Sequence, residues 1–208
     1  MSKRDQYDRA ADGWSDNQYA DPAAYLEHRA HLVVELGIGL VPGDEVLDLA
    51  CGDGRLGDHL LRLGMRYRGV DASAPMTRAA AGHFGGRAPV AVGDLNTYVP
   101  PAPVAATTLF RAVYYASDRR AFFARVAGFT TKKLVFDLNP RQFDVHLVLS
   151  ELHAAGFTCT ALRPFFVPQT RALPLPMIAV LRAAERSGPL ARLALRYRFT
   201  YLVAAWRG

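Results

Sequence analysis

The stretch Glu45-Val46-Leu47-Asp48-Leu49-Ala50-Cys51-Gly52-Asp53-Gly54-Arg55-Leu56-Gly57 constrains this chain more than any other. An apolar run ends in an acid, passes through small residues and glycines, and opens into Leu56, Leu60, Leu61 and Leu63 at helical spacing before Gly64. That order reads as a strand, a tight turn and a helix. Gly52 and Gly54 permit positive φ and let a ligand approach the main chain more closely than any side chain would allow. The turn suits a bound nucleotide-like molecule.

Gly52-x-Gly54-x-x-Gly57, with Asp71 ending a second strand, also satisfies the dinucleotide pattern. Charge separates the candidates. A pyrophosphate is an anion that uses helix N–H groups, yet Asp48 and Asp53 lie in or beside the turn. Two acids repel phosphate and attract a cation. S-adenosylmethionine carries a sulfonium and an ammonium, and its ribose offers hydroxyls to Asp71, so the turn favours it.

Asp48-x-Ala50-Cys51-Gly52-x-Gly54, then Gly69-Val70-Asp71-x-Ser73-x-x-Met76, then Gly93-Asp94-Leu95 resembles the successive cofactor motifs of class I S-adenosylmethionine-dependent methyltransferases. The likeness covers roughly residues 40 to 160, with Ala50 where that family has Gly or Ala. It implies a Rossmann-like α/β fold: a doubly wound, mostly parallel sheet with an antiparallel final strand.

The chain organisation agrees. The 208 residues suit one domain with a real core, divided into an N-terminal helical cap (1–43), a cofactor-binding core (44–163), a helical insertion or lid (164–196) and a final strand (197–208). In the cap, Asp21-Pro22 starts a helix that runs to about Leu36 and ends at Gly37. His28 and His31 share a face of it without a third ligand nearby, so each takes a surface or packing role and no metal is expected. From Val46 strands alternate with helices: strands at Val46–Leu49, Tyr67–Val70, Val90–Val92, Ala105–Phe110 and Lys133–Leu138, and a helix from Asp144 to Ala155. The resemblance implies that Phe157–Leu162 and Arg198–Trp206 form an antiparallel pair at the sheet edge. Between them, apolar Leu175, Ile178, Leu181, Leu190 and Leu193 alternate with Arg182, Arg186, Arg192 and Arg196. This pattern is open to three readings: a lid over an apolar acceptor, a membrane-surface contact, or helices packed on the sheet.

Ligands of open α/β sheets lie outside the carboxyl ends of the strands. The resemblance then assigns roles. Asp48 holds the methionine ammonium, and Ala50, Cys51, Gly52 and Gly54 give close backbone approach. Asp71 takes the ribose hydroxyls with Ala72 and Met76 near the adenosine, and Asp94 accepts from the adenine amino group while Leu95 covers the ring. Phe110-Arg111-Ala112-Val113-Tyr114-Tyr115 stands beside the transferable methyl group, so Arg111 belongs to the cofactor site and Tyr114 or Tyr115 can orient an acceptor. In-line methyl transfer needs no obligatory base, and a phenol with a pKa near ~10 is a poor one. For the acceptor the candidates are Tyr7 and Tyr19 of the cap, Asn139 and Arg141 after the fifth strand, and Phe165 and Phe166 of the insertion. The alternative for the tyrosines is packing, for Asn139-Pro140-Arg141 a strand stop, and for the acids a helix N-cap, a credible role for Asp53.

The net charge of +6 comes almost wholly from scattered arginines, with lysine only at positions 3, 132 and 133. Such scatter fits a solvated surface better than nucleic acid. The longest apolar run, Ala172 to Leu181, stops at Arg182, short of a bilayer span. The polar start and only two cysteines, Cys51 and Cys159, lead to an expected cytoplasmic protein. There is no Gly-x-Ser-x-Gly elbow, no Gly-Lys-Ser/Thr phosphate loop and no Cys-x-x-Cys. The expected function is methylation of a small, apolar or aromatic acceptor. The alternatives are an RNA methyltransferase, which needs the four insertion arginines in one exposed stripe, and a non-catalytic S-adenosylmethionine-binding module, which needs the acceptor space filled by Phe165, Phe166 or Tyr115.

Overall fold

A computed structural model describes residues 13–197 and 200–208. Two cap helices come first, the short α1 (Trp14–Gln18) and the longer α2 (Pro22–Glu35). The chain then alternates through β1 (Glu45–Leu49), α3 (Arg55–Arg62), β2 (Arg66–Asp71), α4 (Ala74–Phe84), β3 (Val90–Val92), β4 (Val104–Leu109), α5 (Arg119–Phe129), β5 (Thr130–Leu138), α6 (Val145–Ala154) and β6 (Cys159–Pro164). A helical hairpin, α7 (Leu175–Arg186) and α8 (Gly188–Arg196), precedes β7 (Tyr201–Trp206).

Side-chain caps set the helix starts. Asp21 accepts from Ala24 N at 3.0 Å, Ser73 from Met76 N at 3.2 Å, Asp118 from Ala121 N at 3.0 Å and Asp144 from His146 N at 2.9 Å. Each satisfies an amide that has no partner within its own helix. Strand order is β3-β2-β1-β4-β5-β7-β6, parallel except for β7, which runs antiparallel to both β5 and β6. One apolar cluster lies under α2, α3 and α4, the other under α5 and α6. β7 feeds both, Leu202 and Ala204 on one face and Val203 and Ala205 on the other, as the twofold periodicity of a strand requires.

The starts of β5 and β6 differ from the sequence reading by two residues or more. Phe157 N donates to the Leu152 carbonyl after Gly156 at φ 96°, so Phe157 finishes the end of α6 and β6 starts at Cys159. β5 starts at Thr130, directly from α5, three residues before Lys133. The expected start of β7, Arg198 and Phe199, lies outside the described residues, as does Tyr7.

Two buried charges fasten the cap. Lys133 Nζ donates to the Val34 and Leu36 carbonyls at 3.0 and 2.9 Å, closing the C-terminus of α2 where a cation is favoured. Burial still pushes its pKa down to about 8. His28 is buried against Glu185 of α7, with Nε2 2.5 Å from Oε2, and tilts over Phe165 at 5.0 Å. His31, by contrast, is exposed beside Glu35.

The insertion packs on α2 and β6. Arg182 donates to the Ala24 carbonyl at 3.2 Å and Arg186 to Glu35 at 3.1 Å, while Arg192 and Arg196 stay exposed on α8. The four arginines do not form one exposed stripe.

Candidate functional site

The order in which successive strands are laid along the sheet reverses between the parallel neighbours β1 and β4, and a cavity of about 470 Å³ opens there at their carboxyl ends, where such sheets hold ligands. Its wall includes Asp48, Ala50, Cys51 and Gly52 from the end of β1, and Asp71, Ala72, Ser73 and Met76 from β2 and α4. Asp94 and Leu95 follow β3; Arg111, Tyr114 and Tyr115 follow β4. Tyr19 of the cap also lines it.

Asp48 lies in β1, an interior strand of the sheet, and is only 3% exposed. Oδ2 accepts from Tyr67 OH at 2.9 Å and Oδ1 from Thr108 Oγ1 at 2.7 Å. Burial pushes its pKa up to about 6, opposed by those two donors and by the Arg29 charge. Burial, then the neighbouring carboxylates of Asp48 and Asp71, holds the Cys51 thiol well above its usual value, which makes it a neutral wall group and not a nucleophile.

Asp71 is oriented by backbone: Oδ2 accepts from Gly52 N at 2.9 Å and Oδ1 from Ser73 N at 2.8 Å. Gly52 has φ 57°, and a Cβ there would point at Trp14, 3.5 Å from the indole. Asp94 accepts from both the N–H and the amide of Asn96, whose Nδ2 also reaches the Tyr115 carbonyl. Tyr114 and Tyr115 pack at 4.4 Å between ring centroids.

Gly54 has a different duty from the one expected. At φ 77° it starts α3, and a Cβ there would come within 2.7 Å of Phe84 and 3.1 Å of Ala80. It allows close helix packing and is not part of the cavity wall. Gly57 does the same against Tyr67 and Phe84, both at 2.7 Å. Because Tyr67 holds Asp48, Gly57→Ala is expected to cost about 1–3 kcal/mol in urea denaturation through overpacking and to disturb Asp48 as well.

Ala50 and Arg111 are the described non-glycine residues with positive φ, 61° and 54°. Both flank the cavity. A left-handed residue with a Cβ is strained, so Ala50→Gly is expected to raise stability by about 0.5–1 kcal/mol in the same assay, with the turn unchanged.

Several residues of the site were not apparent from the sequence. Arg29 is buried, with its guanidinium 4.4 Å above the Phe110 ring, 2.9 Å from Tyr25 OH and 3.8 Å from Asp137. Its Nε has no hydrogen-bond partner among the described residues. Its spacing from Tyr25, Leu26, Leu32 and Val33, an apolar helix face, was the available signal. Asp53 is no N-cap: it accepts from Ser15 N at 2.9 Å and Ser15 Oγ at 2.6 Å. With Asp16 on Arg55 and Gln18 on Arg111, this fastens α1 beside the glycine turn. Trp14, Leu26 and Asn96 also line the wall, together with the expected Phe110.

Among the described residues, Asn139, Arg141, Phe165 and Phe166 do not line the cavity. Asn139 Oδ1 accepts from Arg141 N at 3.0 Å and its carbonyl from Gln142 N and Phe143 N, closing a turn after β5. Phe165 is buried between Tyr25 and His28, and Phe166 N donates to Glu185 at 2.5 Å. The space beside Tyr115 is therefore not filled by either phenylalanine.

Residues 46–133 match the sequence model of a methyltransferase domain. An uncharacterized methyltransferase of Geobacillus kaustophilus is 31% identical over 115 residues, which cover 55% of this chain and 51% of that relative; the chain thus spans about half the relative's length. A chain from the complex of the Haloferax volcanii Trm112 methyltransferase activator with a methyltransferase superposes with a TM-score of 0.69 at 18% identity, covering 99% of both chains. Haemonchus contortus phosphoethanolamine N-methyltransferase 2, solved with S-adenosyl-L-methionine, superposes with a TM-score of 0.66 at 14% identity, covering all of this chain and 60% of that one. At these identities the structural likeness is one of fold. Residues 46–133 thus resemble a methyltransferase domain in sequence, and the described chain shares the fold of S-adenosylmethionine-dependent methyltransferases.

Proposed function

We propose that the protein transfers the methyl group of S-adenosylmethionine to a small, apolar or aromatic acceptor by in-line displacement. The observation that carries this reading is the gathering, in one cavity, of the acids at the carboxyl ends of β1, β2 and β3 with an apolar and aromatic wall from α1, α2 and the segment after β4. The cavity fits that cofactor by its donor set. Buried Asp48 suits an ammonium, Asp71 a pair of hydroxyls and Asp94 an amino group. The uncommitted Arg29 Nε and the Arg111 side chain supply positive charge for a carboxylate. When bound, the cofactor supplies a methyl group on a positively charged sulfur with a neutral thioether as leaving group.

The residues then act by placement. Gly52 leaves its side of the turn open to the ligand, while Ala72, Met76 and Leu95 give an apolar bed to the adenosine end. Trp14 and α1 shield the glycine turn from water. Tyr114 and Tyr115 border the acceptor space, where desolvation and alignment can supply most of the acceleration. Tyr19, stacked on Tyr25 at 4.6 Å, adds an aromatic wall of the kind a flat acceptor contacts. The divided course of the four insertion arginines gives the RNA reading no continuous contact.

Transfer of labelled methyl from S-adenosylmethionine to a panel of phenols, amines and carboxylic acids, run beside total RNA, tests this. Label is expected in the small-molecule fraction. Label confined to RNA would overturn the acceptor class; intact cofactor binding with no transfer to either would favour the binding-module alternative. Asp71→Ala removes the carboxylate offered to the ribose and also frees the Gly52 amide. It is expected to weaken S-adenosylhomocysteine binding by about tenfold to a hundredfold in calorimetry, from the loss of about 1.5–3 kcal/mol for a hydrogen bond to a charged group.

A further inference from the structure

The α7–α8 hairpin presents a surface that the cavity does not use. On α7 Glu185 is buried on His28 and half-buried Arg182 reaches the Ala24 carbonyl, while Arg186, itself exposed, reaches Glu35 at the edge of α2. The outward side holds Pro176, Met177, Ala179, Val180 and Ala183, all exposed and none charged. A solvated helix has the opposite arrangement. Val180 is 66% exposed, and Leu175, at the helix start, is 77% exposed. On α8 and just beyond it, Leu190, Leu193 and Tyr197 recur at helical spacing and are exposed, Tyr197 to 69%.

Charge on the hairpin is one-sided. Residues 171–197 contain Arg171, Arg182, Arg186, Arg192 and Arg196 and a single acid, Glu185, which is the buried one. Exposed Glu27 and Glu35 of α2 pair with Arg182 and Arg186, whereas Arg171, Arg192 and Arg196 are exposed and form no ion pair among the described residues, so the hairpin keeps a surplus of positive charge. A second copy of the chain would oppose arginine with arginine, and RNA offers nothing to Leu175, Val180 or Leu193. An anionic bilayer surface offers acyl chains to the apolar side chains, phosphates to the arginines and an interfacial level that suits a tyrosine. No described helix is long and apolar enough to cross a membrane, so such contact is with one leaflet.

We propose that the α7–α8 hairpin docks the protein on the surface of an anionic lipid bilayer. None of these residues lines the cavity, so the docking is separable from the transfer reaction. The test is flotation of the full chain with vesicles of phosphatidylcholine alone or with about one-third phosphatidylglycerol, at low and high salt. The chain should bind the anionic vesicles at least about tenfold more tightly than the neutral ones, with binding falling as salt rises. Val180→Asp, Leu193→Asp and the pair Arg192→Glu with Arg196→Glu should each weaken it about tenfold or more. The thermal midpoint and S-adenosylhomocysteine binding should stay unchanged, which separates lost docking from lost folding or a lost cofactor site. No binding to anionic vesicles, equal binding to both kinds, or a dimer that Val180→Asp converts to monomer would overturn the proposal, the last in favour of a second copy.

Discussion

Asp48→Asn is expected to stabilise the ligand-free protein by about 3 kcal/mol at pH 7 while weakening S-adenosylhomocysteine binding at least about tenfold. The carboxyl titrates at about 6 in the fold against a reference of 3.8. The folded chain therefore holds a proton between these values that the unfolded chain has lost. Stability is highest with the group neutral, below about pH 4, and falls as pH rises through the window to about 6. Asparagine removes that fall. It also keeps the contacts: its carbonyl accepts from one of the two hydroxyls, and its NH2 donates to the oxygen of the other, since Thr108 Oγ1 lies 3.5 Å from the Leu47 carbonyl and can turn to it. Urea denaturation from pH 4 to pH 8 checks this, with the difference between variant and parent small at the acid end and growing to a plateau. A variant less stable than the parent at pH 7 would mean that the ionised carboxylate is better solvated than its burial indicates. A site that gives up stability to hold a charge is what a cation-binding acid requires.

The second large effect lies away from the cavity. Glu185→Ala is expected to cost about 3–5 kcal/mol, because the buried carboxylate serves both His28 Nε2 and Phe166 N, each at 2.5 Å. Those contacts join α2, α7 and the segment after β6, and α2 carries Arg29 and Leu26 into the cavity wall. Loss of cofactor affinity should accompany the loss of stability. A double-mutant cycle with His28→Ala isolates the pair; a coupling near zero would show that the histidine and the carboxylate are held independently.

The placement of Asp48, Asp71 and Asp94 at the cavity was readable, since each lies at or just past the carboxyl end of an apolar strand within a few positions of glycine or serine. The caps Asp21 and Asp118 were readable because they precede their helices directly. Residues whose partners are distant in the chain were not. Asp53 reads as a cap from its neighbours, yet its partner is Ser15, 38 positions away. Glu185 meets His28 across 157 positions. Arg29 did leave a trace: it is a charge on the apolar face of its helix, which marks a buried partner. Phe165 reads as pocket aromatic or core alike, and only packing between Tyr25 and His28 separates the two. The glycine pattern misleads in a similar way, since Gly54 and Gly57 make room for Phe84 and Tyr67 whereas Gly52 faces the cavity.

Calorimetric titration of the protein with S-adenosylhomocysteine, and in parallel with NAD, tests the cofactor assignment most directly. The prediction is micromolar binding of the first, about −8 kcal/mol, weakened by Asp71→Ala and by Asp48→Asn, and no binding of NAD. Affinity should also rise between pH 5 and pH 7 as the Asp48 carboxyl, with its pKa of about 6, ionises. Binding of NAD alone, or S-adenosylhomocysteine binding indifferent to both acids, would contradict the placement of an ammonium at Asp48 and a ribose at Asp71, and with it the proposed function.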